Sequence, residues 1–313
     1  MRLEPASTCM LFPGQGSQAV GMGRQLALES APALDVFMQA DAELGFSLSQ
    51  LMWEGPGSDL NDTLNTQPAL YVHSLAVLEM FRGAHADFRP AFVAGHSLGE
   101  VTALVAAGAL TFVDGLRLVR RRAELMQHAG QTSPGKMAAI LGLEIPALEK
   151  VCEEASRGPE VVVVANDNCP GQVVISGAGE AVDRAMSAAK AAGAKRALPL
   201  KVSIAAHSPL MNSIQPAWDS AINSTTFATA ATPVVGNVDA TPLSAVDEAR
   251  KDLRLQMQSR VRWTESIQWL AGHGVSSFLE IGTGAVLTGL VRRILPDADA
   301  HAAGSTADLE ALA

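Results

Sequence analysis

Short apolar runs that end in glycine, separated by longer stretches of helical period, constrain this chain more than any other feature. Thr8–Phe12, Ala91–Ala94, Pro233–Val235 and Ser277–Ile281 read as buried strands. They run into Pro13-Gly-Gln-Gly16, Gly95-His-Ser-Leu-Gly99, Gly236-Asn237 and Gly282-Thr-Gly284. That alternation predicts an α/β fold. In open α/β sheets ligands collect at the carboxyl ends of the strands, so a functional site is expected where these glycine turns meet.

The middle of the chain has a different rhythm. Lys136–Leu141 reads as a strand, Pro146–Ser156 as a helix, Val161–Ala165 and Gln172–Ser176 as strands around a turn at 166–171, Glu180–Ala192 as a helix and Arg196–Val202 as a strand. The order βαββαβ is the ferredoxin-like split unit. We therefore expect a small domain at 132–202, inserted in a large discontinuous domain of 1–131 and 203–313. The Ala/Asp-rich stretch from Asp297 onward reads as a loosely attached tail.

Composition narrows the class. Of 313 residues, 48% are hydrophobic and 18% charged, which supports a large core and excludes a disordered chain. With 23 Lys+Arg against 32 Asp+Glu the net charge is −9, which argues against a nucleic-acid partner. Cys9, Cys152 and Cys169 form an odd, scattered set without CxxC, so neither a disulfide framework nor a metal site is expected, and the compartment should be reducing. Glu4 and Pro5 interrupt Met1–Ser7 where a signal peptide needs apolar continuity, and the longest uncharged apolar stretch, Val101 to Val113, is too short to span a bilayer. A cytoplasmic protein with no membrane association, acting as a monomer, is expected.

Gly95-His-Ser-Leu-Gly99 follows one strand and opens the helix Leu98–Leu110, the context of a nucleophile elbow. Its glycines permit a sharp turn with the Ser97 hydroxyl at the tip, and the Leu98 amide at the helix start favours a developing oxyanion. A serine nucleophile needs a base. His207, in the segment Ser203–Ser208 where the chain re-enters the large domain, is the candidate. His96 lies on the opposite side of the elbow and is given at most a positioning role; the other histidines read as solvated or core-satisfied. No acid is assigned between Ser97 and His207, so a backbone carbonyl is the alternative means of orienting the imidazole.

In the helix from Thr111 to His128, opened by a capping-box-like Thr111-Phe-Val-Asp114, Leu118, Val119, Leu125 and Met126 fall on one stripe with Arg122 in its middle. A cation there needs either an internal carboxylate or a substrate carboxylate, for which its planar fork is suited. The turn Phe12–Gln18 lacks a P-loop lysine and the dinucleotide glycine spacing. It reads as a tight turn supplying the Gln15 backbone N–H, or as an ordinary loop.

These residues stand in motifs that resemble the malonyl-CoA:acyl carrier protein transacylases: PGQGSQ at 13–18, QPAL at 67–70, GHSLGE at 95–100, RRRAELMQ at 120–127, SPGKMAAILGL at 133–143, PGQVVISG at 170–177, AAGAKRALPLKVS at 191–203, AHSPLM at 206–211, NVD at 237–239 and EIGTGAVLTGL at 280–290. The resemblance implies an α/β-hydrolase-like large domain with a ferredoxin-like insert. It implies Ser97 as the acylated serine, His207 as base, Arg122 as clamp for the malonyl carboxylate, Gln15 and Leu98 as oxyanion donors, and Gln256 as the residue whose main-chain carbonyl orients the histidine. Val101 stands where the family often has Tyr, and Ile204-Ala-Ala-His207 replaces the more usual VPSH beside the acyl pocket.

The implied reaction is ping-pong transfer of malonyl from malonyl-CoA to the phosphopantetheine thiol of an acyl carrier protein, with no metal or redox cofactor. Docking of an acidic carrier would use Arg117, Arg120, Arg121, Lys190, Lys195, Arg196, Arg292 or Arg293. Alternatives are a trans-acting acyltransferase of a polyketide synthase or malonate decarboxylase system, a carrier-protein acyl hydrolase, against which Arg122 speaks, and a non-catalytic carrier-binding subunit, against which Ser97 and His207 speak.

Overall fold

Every residue of Thr8–Phe12 and of Ser277–Ile281 is buried, the continuous burial of strands covered on both faces rather than the alternation of a half-exposed sheet. The computed structural model describes residues 3–202 and 204–312. Met1, Arg2, Ser203 and Ala313, which fall at the ends of the expected segments 1–131 and 203–313, lie outside the described residues.

Among these residues the strands are β1 (Thr8–Phe12), β2 (Phe92–Gly95), β3 (Gly135–Leu141), β4 (Val162–Cys169), β5 (Gln172–Ala178), β6 (Arg196–Pro199), β7 (Val234–Val235), β8 (Pro242–Leu243), β9 (Ser277–Ile281) and β10 (Asp299–Ala303). They form a 6-stranded sheet in the order β10-β9-β1-β2-β7-β8 and a 4-stranded sheet in the order β4-β5-β3-β6. The large sheet is parallel except for β8. Alternate residues of β1 serve its two faces: Met10 and Phe12 join the core beneath the helices Thr63–Ala84, Leu98–Ala106 and Phe112–Thr132, whereas Cys9 and Leu11 join the core beneath Trp263–Gly272 and Val286–Ile294.

The small sheet is antiparallel, and the helices Ile145–Ala155 and Gly179–Ala191 cover it around a separate apolar core. The fold is α/β, an α/β-hydrolase-like lobe carrying a ferredoxin-like one, and its chain order β3, helix, β4, β5, helix, β6 is the split βαβ unit.

Two local expectations are corrected. The stretch expected as a turn from Asn166 continues as strand to Cys169 through bulges at Val164/Asn166 and Asp167/Cys169. The bulges re-aim the strand so that the Asp167 amide donates to the Val261 carbonyl at 2.9 Å, tying the small sheet to the large lobe. The turn itself is confined to Pro170-Gly171, where Gly171 has φ of +71°.

The segment expected as a loose tail is instead built into the fold. β10 pairs with β9 from Asp299↔Ser277 to Ala303↔Ile281, and the helix Thr306–Glu310 follows behind a capping box of Ser305 and Asp308. Alanine is small enough to let an edge strand pack closely, so Ala300 and Ala303 are buried without the large apolar residues that would mark a strand in the sequence.

Candidate active site

Parallel pairing of β1 and β2 sets Phe12 beside Gly95, so the two following turns meet: the His96 amide donates to the Phe12 carbonyl at 3.0 Å. This approach and the sharpness of the elbow itself require its two glycines. A Cβ on Gly95 would lie 1.9 Å from the Gly99 carbonyl oxygen, and one on Gly99 would lie 2.0 Å from the Phe12 oxygen. Between them Ser97 adopts φ of 52° and ψ of −106°, a conformation costing about 1–3 kcal/mol and held only by surrounding structure. Asn237, just past β7, supplies that hold. Its Oδ1 accepts the Ser97 amide at 2.7 Å and its Nδ2 donates to the Gly95 carbonyl at 2.7 Å.

His207, 3% exposed and also at positive φ (58°), points its ring at the nucleophile: Nε2 stands 2.8 Å from Ser97 Oγ. Nδ1 faces two carbonyls, those of Gln256 at 2.9 Å and Ser259 at 3.1 Å. Facing acceptors only, Nδ1 carries the proton, which leaves Nε2 as the acceptor for the serine hydroxyl. No carboxylate orients this imidazole among the described residues. Burial, assisted by the Arg122 cation, pushes the His207 pKa down to about 3, so the ring is neutral and able to accept a proton.

Arg122 lies on the buried face of its helix at 1% exposure, with Leu118, Val119, Leu125 and Met126 around it. Nη1 donates to Gln67 Oε1 at 2.7 Å, and Nη2 to Ser97 Oγ and Gln256 Oε1, each at 2.9 Å. Met126 Sδ is 3.3 Å away, and Nε has no partner among the described residues. Every acceptor is neutral. Burial lowers the guanidinium pKa to about 10, against an opposing pull from the more distant Glu100, so it remains charged at neutral pH, a cation with no carboxylate in hydrogen-bond or ion-pair contact among the described residues.

Gln256 does more than lend its carbonyl. Its side chain donates from Nε2 to the Ser97 carbonyl at 2.9 Å and to Glu100 Oε2 at 3.0 Å, and it accepts from Arg122. One residue thus touches nucleophile, base and cation. Leu98 is buried at the first helical position, where an amide has no carbonyl one turn back to bond. Gln15 lies on the exposed turn that abuts the elbow, with its side chain 3.3 Å from Thr63 Oγ1. A cavity of about 290 Å³ opens at Gln15, lined also by Met126, Met137, Lys201, Ile204 and Ala206.

Other expected features are placed as follows. His96 turns away from Ser97, with Nε2 2.9 Å from Asn168 Oδ1 and its ring edge-on to Trp263. Val101 is wholly buried in the core, whereas Ala206 borders the cavity. Arg117 pairs with Glu43, Arg120 and Arg121 pair with Glu124, Arg292 donates to Ala300, and Arg293 donates to Gln172 and Pro170. Lys190, in the last turn of the helix Gly179–Ala191, and Lys195 and Arg196, at the start of the edge strand β6, are exposed. Asn237, Gln67 and Glu100 had no role assigned from sequence, although each sits in one of the motifs quoted above; their partners come from distant segments.

The acyl transferase domain family matches residues 9–308. The malonyl CoA-acyl carrier protein transacylase of Escherichia coli O157:H7 is 45% identical over 292 residues, covering 93% of this chain and 94% of that protein. The chain belongs to the malonyl-CoA:acyl carrier protein transacylase family. The family's Bacillus subtilis member is 44% identical over 91% of this chain and 89% of its own length. Among solved structures, an acyl carrier protein S-malonyltransferase from Vibrio cholerae superposes with a TM-score of 0.95 at 42% identity, covering 98% of this chain and 100% of that one. A malonyl-transacylase of the family, solved in complex with a type II polyketide acyl carrier protein, superposes with a TM-score of 0.94 at 41% identity and covers 98% of each chain. No helix among the described residues is long and apolar enough to cross a membrane.

Proposed function

We propose that this chain transfers malonyl from malonyl-CoA to the phosphopantetheine thiol of an acyl carrier protein through a malonyl ester of Ser97. One observation carries the reading: a buried arginine with neutral partners only, 2.9 Å from a serine hydroxyl that is itself 2.8 Å from a neutral histidine. Leaving such a cation without an anion is costly, and a carboxylate on the acyl group relieves it.

In the first half-reaction Ser97 Oγ attacks the thioester carbonyl as Nε2 of His207 takes its proton. The amides of Gln15 and Leu98 face the developing oxyanion. Collapse of the tetrahedral intermediate breaks the C–S bond, and the imidazolium returns the proton to the departing CoA thiolate. The Gln256 and Ser259 carbonyls stabilise the transient positive ring, the task an acid performs in a Ser-His-Asp triad. The carrier's thiol then runs the sequence in reverse. Arg122 holds the malonyl carboxylate throughout and disfavours acetyl groups, which would leave it buried and unpaired.

Every group the cycle uses belongs to this chain or to its two substrates, so the reading needs neither a metal nor a redox cofactor, and a monomer suffices. The segment 132–202 is the small domain beside a catalytic domain of 1–131 and 203–313, and the cytoplasm, where CoA thioesters and carrier proteins occur, is the working compartment. Mass spectrometry after incubation with malonyl-CoA alone should find a malonyl group on the peptide bearing Ser97. An adduct that persists in Ser97→Ala would sink the proposal. Adding carrier proteins of fatty acid, polyketide and malonate decarboxylase systems to the malonylated protein then identifies the acceptor by mass.

A further inference from the structure

Three residues beyond the nucleophile, Glu100 is wholly buried, and no ion pair reaches it among the described residues. Its Oε2 accepts the Asn237 amide at 3.1 Å and the Gln256 side chain at 3.0 Å, while its Oε1 receives no donor. Asp252, 5% exposed and one turn before Gln256 on the helix Val246–Gln256, is its counterpart. Asp252 Oδ1 accepts the Val238 amide at 3.2 Å and fills the space that a Cβ on Gly236 would need, 2.5 Å away. Its Oδ2 also receives no donor.

The amides of the consecutive residues Asn237 and Val238 donate one to Glu100 and the other to Asp252, which sets the two carboxyl groups side by side. Each of these neighbouring carboxyls keeps one buried oxygen without a donor, and only a proton between the two groups makes their proximity attractive, because two adjacent carboxylates in a low-dielectric site do not both ionise. Burial, with the neighbouring Asp252 charge, holds Glu100 well above the usual carboxylate range, and burial raises Asp252 as well. The surrounding charges are few. Arg122 hydrogen-bonds Gln256 rather than either carboxyl, and its charge is felt directly at Glu100; Asp239 lies on the Asp252 side, and Glu248 and Lys251 join Asp239 and Asp252 around a cavity of about 140 Å³ beside Asp252.

We propose that Glu100 and Asp252 share a single proton and, in that state, serve as positioning residues for acyl transfer. Through Asn237 the pair fixes the strained Ser97 backbone. Through Gln256 it fixes the Ser97 carbonyl, the Nη2 end of Arg122 and the carbonyl that orients His207. Losing the proton sets two anions against each other at this anchor, so activity falls as pH rises. The inference rests on the acyl-transfer reading above.

Glu100→Gln is the discriminating variant, since its carboxamide oxygen still accepts from Asn237 and Gln256 while its N–H replaces the shared proton permanently. Single-turnover malonylation of Ser97 should decline on the alkaline side of the profile in the wild type and stay level there in Glu100→Gln and in Asp252→Asn. Glu100→Ala should lower kcat by about 10²-fold with little change in KM, because the reacting groups lose their register. A purely structural role would leave the pH profile of Glu100→Gln like that of the wild type, and that result overturns the proposal, as does full activity in a folded Glu100→Ala. Infrared difference spectra without substrate read the proton directly. The C=O stretch of a buried carboxylic acid should be present in the wild type and absent from both conservative variants, and its absence from the wild type overturns the shared proton whether or not Ser97 is malonylated. Failure of the wild type to form the Ser97 ester, with that band present, would instead overturn the transfer reading.

Discussion

Arg122 donates from Nη2 to the hydroxyl of Ser97 at 2.9 Å, so a buried cation rests on the nucleophile before any substrate is bound. The contact has two consequences. It helps hold Oγ in line with His207, and it reserves the guanidinium for an acyl group whose carboxylate takes over the charge when the ester forms.

Arg122→Ala should therefore behave as the loss of a substrate contact. Malonyl transfer should drop by about 2–5 kcal/mol of transition-state stabilisation, while acetyl-CoA becomes an equal or better substrate. The melting temperature should fall only modestly, because the hydrogen-bond partners left behind, Gln67, Gln256 and Ser97, are neutral, and Glu100, the buried carboxyl that feels the Arg122 charge, keeps its donors from Asn237 and Gln256. A large loss of stability with unchanged malonyl-to-acetyl selectivity would show that the arginine is structural.

His207→Ala should keep the fold and lose about 10²–10⁴-fold in transfer, the usual contribution of a positioned base. Steady-state assays with circular dichroism on the same sample decide it, and wild-type turnover would mean that another group takes the serine proton.

The acid side of the pH profile follows from the depressed His207 pKa of about 3. Protonation abolishes the base, and it sets in only as pH falls toward that value rather than through the ordinary histidine range near 6.5. kcat/KM for malonyl-CoA should thus stay level between about pH 7 and pH 5, where an unperturbed histidine would already be losing activity. Stability has the same sign. A neutral buried histidine favours the fold fully above about pH 6.5 and loses that contribution as pH falls further, and His73, lowered to about 4 by burial, adds to the trend.

Gly99→Ala should fail to accumulate as folded protein. Its new methyl would sit 2.0 Å from the Phe12 carbonyl oxygen, backbone against backbone, with no flexible side chain able to yield. Gly83→Ala, in open space on the helix Thr63–Ala84, is the matched control and should fold normally, as measured by soluble yield and thermal melting.

By itself, the sequence determined the α/β class, the interposed βαββαβ unit and the elbow with its nucleophile, because each is written in local periodicity and glycine placement that survive without partners. Arg122 was legible for the same reason: a charge in the middle of an apolar helical stripe must have a use. Tertiary structure alone decided what surrounds these groups. Gln256 meets Ser97 across 159 positions of chain and Asn237 meets it across 140, and no local pattern encodes a hydrogen bond between segments so far apart. Likewise the second carbonyl on His207, that of Ser259 beside the expected one of Gln256, and the pairing of Glu100 with Asp252 depend on which segments the packed helices bring together. The C-terminal strand stayed hidden because its burial uses alanine, a residue whose fit is set by the surface it packs on rather than by its own hydrophobicity.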